Sequence, residues 1–154
     1  MIKSLYNDSQ KALKSYNKME SYRIQEDILQ RLVKEYPDHK NKAAVEVKVK
    51  LLNLFYSTYI LATNRMTAHI YGMKKIDSRL KSGDKSLVKE IATLTIDGKS
   101  YDFYSFATKY CAYHNPDAFP IYDNIVANVL IRLFIDGNLP PYAYTTKKKC
   151  GQWI

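Results

Sequence analysis

The chain has little cysteine, and what it has is badly spaced for chemistry. Its two cysteines, Cys111 and Cys150, form no CxxC pair and no Cys/His ligand pattern, so a four-ligand structural zinc site cannot be assembled from the sequence. Both read as free thiols, with Cys111 a small core residue. Long hydrophobic runs are also missing. The longest apolar stretch, Ile125 to Ile135, is interrupted by Asn128 and Arg132, which excludes a membrane-spanning helix there. The first eighteen residues, MIKSLYNDSQKALKSYNK, hold no apolar core of a secretory signal, so the expected compartment is the cytoplasm. No P-loop, GxSxG, HExxH or GxGxxG motif occurs, which removes the commonest nucleotide-binding, hydrolase and metalloprotease chemistries. No cofactor is implied.

Glycine and proline are sparse too, five of each, and act as punctuation. Pro37, Gly72, Gly83, Gly98, Pro116, Pro120, Gly137 and Pro140-Pro141 mark the breaks. Between them the apolar residues recur mostly at three- and four-residue steps. Ile24, Ile28, Leu29, Leu32, Val33 and Tyr36 set a helix over Glu20 to Tyr36, stopped by Pro37, with Asp38 placed to cap the next. Ala44, Val47, Leu51, Leu54 and Phe55 set a second over Lys42 to Tyr56. A third runs from Ser57 to Lys81 and breaks near Gly72, and a short one spans Asp84 to Leu94. Alternation in TLTIDGKSYDF, with Asp97-Gly98 at its centre, is a hairpin signal. Tyr101 to Tyr113 and Asp123 to Asp136 are helical again, the latter being the most apolar helix, ended at Gly137. The expected fold is a single all-α or nearly all-α domain over residues 1–154, a compact bundle of five to seven helices with at most one small β-hairpin and a basic tail over 137–154.

Acidic residues are outnumbered. Twenty-four Lys and Arg face fifteen Asp and Glu, a net charge of +9, and tyrosine is abundant at fourteen. A basic surface carrying many amphipathic rings suits a polyanion with stackable bases, DNA before RNA. The best candidate surface is Arg65, Lys74, Lys75, Arg79, Lys81, Lys85 and Lys89, opposed only by Asp77 and Asp84, with His114 as a phosphate or base contact. A histidine in this place is more often a packed helix-end residue bonding last-turn carbonyls, which is the favoured reading of His114.

The densest segment is SFATKYCAYHNPDAFPIYDNIV, residues 105–126. On the helix, Phe106, Tyr110 and Tyr113 share one face and Ala107, Cys111 and His114 the adjoining one, leaving Ser105, Thr108 and Ala112 pointing away and Lys109 at the aromatic boundary. A lysine there is either a snorkelling surface cation or a partly desolvated amine poised as a nucleophile. Asp123 stands at the start of the apolar helix as an N-cap for Ile125 or Val126, a position that also keeps a carboxylate ionised.

FATKYC followed by FPIYDNIVANVL resembles the lysine-bearing helix and the Pro-and-Asp segment of the helix-hairpin-helix DNA glycosylase superfamily. The resemblance covers residues 105–130. It implies an all-α bundle with a cleft, a base flipped from duplex DNA, Lys109 as a Schiff-base lysine and Asp123 as the carboxylate that stabilises positive charge on the sugar. Tyr59 or Tyr110 would then stack on the base. Two other readings stay open. One is a non-catalytic DNA- or RNA-binding helical domain associated with defence or a mobile element. The other is a helical interaction module with an acidic protein partner.

Overall fold

The computed structural model describes residues 2–135, with side chains from residue 7 onward. The expected basic tail, Gly137 and Cys150 lie outside the described residues. Within them the chain forms α1 (Ile2–Tyr16), α2 (Glu20–Glu35), α3 (Lys42–Tyr56), α4 (Thr63–Tyr71), α5 (Ile76–Ser82), α6 (Ser86–Ala92), β1 (Thr93–Ile96), β2 (Lys99–Asp102), α7 (Tyr104–His114) and α8 (Asn124–Ile135). The fold is mostly helical with one small antiparallel hairpin. Helices number eight among the described residues, more than the periodicity indicated, because the stretch after Ser57 is two separate helices and α1 adds another. Ser57 caps α3 in the left-handed region, and the chain runs irregularly to Thr63 before helix resumes.

The caps show where local chemistry won. Asn41, not Asp38, caps α3, accepting from the Ala43 and Ala44 amides at 2.9 and 3.2 Å. The hairpin turns at Asp97 and Gly98, both at positive φ, the geometry a two-residue turn of this hand requires. Thr93 pairs with Asp102 and Ile96 with Lys99. Gly83 also lies at positive φ, and a Cβ there would come within 2.8 Å of the Ala118 side chain, so the α5–α6 corner can lie tight against the segment after α7.

The core is built from Val45, Val49 and Leu52 of α3, Met66 and Ile70 of α4, Leu87 and Ile91 of α6, and Phe106 and Tyr110 of α7, sealed by Phe119. α7 runs through its centre, so every residue from Phe106 to Ala112 is buried. Thr108 and Ala112 therefore do not point away from the core, and Lys109 is not a boundary residue. Neighbours on all sides of α7 override the face that its sequence pattern favours. α8 is the opposite case: it has no buried residue, and Ile125, Val129, Leu130 and Ile135 are exposed. No helix among the described residues is long and apolar enough to cross a membrane.

Candidate functional site

Asp123 reaches Lys109 through a hydroxyl staple. Thr108, one residue before the lysine, donates from Oγ1 to the Tyr122 carbonyl at 2.9 Å and accepts the Tyr122 amide at 3.2 Å. Asn115 fixes the corner between, donating from Nδ2 to the Leu80 carbonyl at 2.9 Å and accepting the Ala118 amide at 3.2 Å. Asp123 is thereby set at the start of α8. There its Oδ1 accepts the Val126 amide at 3.0 Å, an N-cap, while its Oδ2 lies 3.0 Å from Lys109 Nζ. Burial pushes the Asp123 carboxyl upward in pKa, but the Val126 amide and the Lys109 ammonium outweigh it and hold the group below the ordinary carboxylate value.

Lys109 is enclosed. Its side chain is 4% exposed against 23% for Asp123. Nζ donates to Ser105 Oγ at 2.9 Å as well as to Asp123, and it lies 5.5 Å from the centre of the Tyr56 ring. Tyr56 is held in turn: its hydroxyl donates to Glu26 at 3.2 Å and shares a 2.6 Å hydrogen bond with the Tyr113 hydroxyl, and Tyr16 donates to the other Glu26 oxygen at 2.6 Å. The lysine thus meets an acceptor carboxylate, a hydroxyl and a π face inside the protein. Chemically this arrangement binds an ammonium firmly. The same contact favours the ionised carboxylate of Asp123, so Nζ is available for other chemistry only when the pair separates.

The other predicted residues fall elsewhere. Lys74, Lys75, Lys81, Lys85 and Lys89 are exposed along α5, α6 and the turn before them, and Lys85 lies 4.9 Å over the Phe119 ring. Arg65 pairs with Asp97 at 3.2 Å. Arg79 is committed to Asp84 at 2.7 Å and to Glu90, whose Oε2 it meets at 2.7 Å, so its guanidinium is spent within the fold. Tyr59 is largely exposed, whereas Tyr110 is buried and cannot stack on an incoming base without unfolding α7. His114 packs its ring 4.9 Å from that of His39 and 5.2 Å from that of Tyr110. Burial first, then the nearby Lys48 cation, pushes it down to about 2, so it stays neutral.

A second polar centre escaped the sequence reading. Buried His39 lies with Nδ1 2.6 Å from Asp77 Oδ1 and Nε2 2.8 Å from the Tyr110 hydroxyl. Buried Lys48 donates to the Tyr36 and Asp38 carbonyls, closing the end of α2, and burial lowers its pKa to about 8 despite Asp77 and Asp38. The only sequence signal was His39 itself in YPDHKNK, a segment that reads as a plain helix stop. Cys111 is a buried thiol pushed up to about 12, out of the range of a nucleophile at neutral pH. Among the described residues, no three His, Cys, Asp or Glu side chains gather as a metal site.

Comparison with known proteins gives a family without a chemistry. An uncharacterized protein of Haemophilus influenzae (strain ATCC 51907 / DSM 11121 / KW20 / Rd) is 54% identical over 83 residues, 54% of this chain and 41% of that protein, so the match spans less than half of its relative. No solved structure matches. Residues 8–118 match the family HI_0787_N, described as an N-terminal domain. That stretch runs from within α1 to just past α7 and includes Lys109 but not Asp123. Since it takes in well over half of the sequence, the chain belongs to the HI_0787_N family.

Proposed function

We propose that this chain binds DNA and acts on it as a glycosylase-like protein, with Lys109 as the amine nucleophile and Asp123 as the carboxylate that stabilises positive charge on the sugar. One observation carries the reading: the Lys109 ammonium and the Asp123 carboxylate, fourteen residues apart, meet at 3.0 Å at the start of a helix. The exposed lysines Lys74, Lys75, Lys81 and Lys85 supply phosphate contacts.

For either substrate the pair must first open, and the Lys109 ammonium then gives up one proton to water. The free amine attacks C1′ of the extruded nucleotide, and the bond to the base breaks with its electron pair leaving on the base, which takes up a proton from water, while Asp123 stabilises the positive charge that develops on the sugar. Nζ, now bonded to C1′, loses a proton, its electron pair expels the ring oxygen, which takes up a proton, and a protonated Schiff base is left on Nζ. At an abasic site the amine adds to the aldehyde carbon and water leaves. α8 carries no buried residue, so displacing it with Asp123 at its root costs less than moving any core helix.

A second reading is favoured by the enclosure of Lys109, whose side chain is 4% exposed and engaged by Ser105, Asp123 and Tyr56. In it the pair only locks α8, and the domain binds nucleic acid without reacting. A third, an acidic protein partner for the same lysines, predicts little salt-sensitive DNA affinity. Incubation with duplex DNA carrying an abasic site, followed by borohydride, separates the three. The expected result is a covalent adduct that persists in Lys85→Ala and is lost in Lys109→Gln, whose folding is verified by circular dichroism. Salt-sensitive binding without adduct selects the second reading, and neither signal selects the third.

A further inference from the structure

A cleft of about 310 Å³ opens where the α2–α3 loop, α5 and the end of α7 converge, lined by Pro37, Asp77, Leu80, Lys81, His114 and Asn115. It is distinct from the Lys109–Asp123 pair and shares with the function proposed above only the rim cation Lys81. Its volume is at the small end for ligand sites, room for one planar heterocycle.

What sets the cleft apart is how Asp77 is held. Its side chain is 45% exposed, yet it is fixed from behind by groups that are not. The Tyr110 hydroxyl, fully buried and held in its neutral form by that burial, donates to His39 Nε2 at 2.8 Å. His39 therefore carries its proton on Nδ1 and donates it to Asp77 Oδ1 at 2.6 Å, while the His39 amide approaches Oδ2 at 3.4 Å. Two buried polar side chains thus orient one surface carboxylate, which lines the cleft with one hydrogen bond to each oxygen and capacity on each to accept another. On the neighbouring wall, His114 is neutral, and its Nε2 has no hydrogen-bond partner among the described residues although it is buried. Lys81 stands exposed at the rim. Pro37 and Leu80 give apolar walls.

We propose that this cleft binds the guanine base of a nucleotide, with Asp77 accepting from its N1–H and 2-amino groups and Lys81 meeting its phosphate. A fixed carboxylate matches an edge with two adjacent N–H donors. Among the common bases only guanine presents one: adenine offers an acceptor beside its amine, cytosine does the same, and thymine and uracil flank one N–H with two acceptors. A guanidinium side chain has a matching edge, but Lys81 at the rim, Lys40 close enough to act on Asp77, and the +9 charge of the chain all oppose a cation.

The test is equilibrium titration of the full chain with guanosine, inosine and adenosine 5′-monophosphates and with agmatine. Guanosine monophosphate is expected to bind saturably. Inosine monophosphate, lacking the 2-amino donor, should bind about 10-fold or more weakly, and adenosine monophosphate weaker still. Asp77→Asn, which keeps an oxygen for His39, should lose about 10-fold or more in guanosine monophosphate affinity at unchanged circular dichroism. Exposed Lys81→Ala should weaken the nucleotide but leave the nucleoside guanosine unchanged, a comparison that stands even if Asp77→Asn fails to fold. The proposal is overturned if the folded protein binds no guanosine monophosphate, if adenosine monophosphate or agmatine binds as tightly, or if Lys81→Ala affects nucleoside and nucleotide alike.

Discussion

α7 and α8 are neighbours in sequence and opposites in fate. α7 carries Thr108, Lys109, Tyr110 and His114 and is buried from Phe106 to Ala112; α8 reads NIVANVLIRLFI and has no fully buried residue. Hydrophobicity makes a helix able to be buried, but burial itself requires neighbours, and α7 has α3 and α6 against it while α8 leaves the body at Asp123. The polar groups at the centre of α7 are tolerable inside because they have partners: Thr108 has Tyr122, Lys109 has Asp123 and Ser105, and Tyr110 has His39, while His114 at its end leaves Nε2 without one among the described residues.

That contrast breaks hardest at its joint. Asp123→Ala removes a helix cap and leaves the Lys109 ammonium enclosed without its counter-charge, so a loss of about 3 kcal/mol in unfolding free energy is expected by urea denaturation. Lys109→Met should cost less, since the Asp123 carboxylate it leaves unpaired is 23% exposed and still accepts the Val126 amide, whereas the ammonium left by Asp123→Ala is enclosed. Equal losses in the two variants would show that the pair is not enclosed as described.

A smaller effect concerns the histidines packed against α7. Burial lowers the pKa of both His39 and His114, the latter to about 2. Unfolded histidines take up protons below about pH 6.5 that the folded ones refuse. Stability is therefore full above that pH and falls as the pH drops toward the folded values, by up to about 1.4 kcal/mol per pH unit for each histidine. Between pH 6.5 and 4.5 ordinary carboxylates remain mostly ionised, so urea midpoints in that window isolate the effect, and His114→Phe should flatten the slope. A wild-type midpoint unchanged from pH 6.5 to 5 would contradict neutral buried histidines.

The smallest expected effect is on α8. Val129→Ser or Leu130→Ser should change stability by no more than about 0.5 kcal/mol, as at any exposed position, whereas Leu52→Ala in α3 should cost about 2–5 kcal/mol. A large loss from Val129→Ser would mean that the face of α8 is covered.

Much of the fold could be read from the chain. Three- and four-residue periodicity located α2 and α3, and Asp97-Gly98 located the hairpin, because both signals are local and depend on backbone geometry alone. The Asp123 cap was legible for the same reason. The enclosure of Lys109 was not. Its surroundings are decided by Tyr56 of α3, more than fifty positions away in sequence, and by Asp123 across the corner after α7. Nor did any spacing connect His39, Asp77 and Tyr110, separated by 38 and 33 positions and joined only when the α2–α3 loop, α5 and α7 converge.

By itself the sequence determined that this chain is basic, mostly helical, broken at particular prolines and glycines, and provided with an aspartate at the mouth of its most apolar helix. Tertiary structure alone decided that this aspartate closes on Lys109, that a surface carboxylate is held by a buried histidine and tyrosine, and that the most apolar helix stays outside. The reason is physical: helix, turn and cap energies involve residues a few positions apart, whereas burial and ion pairing depend on which distant elements come into contact.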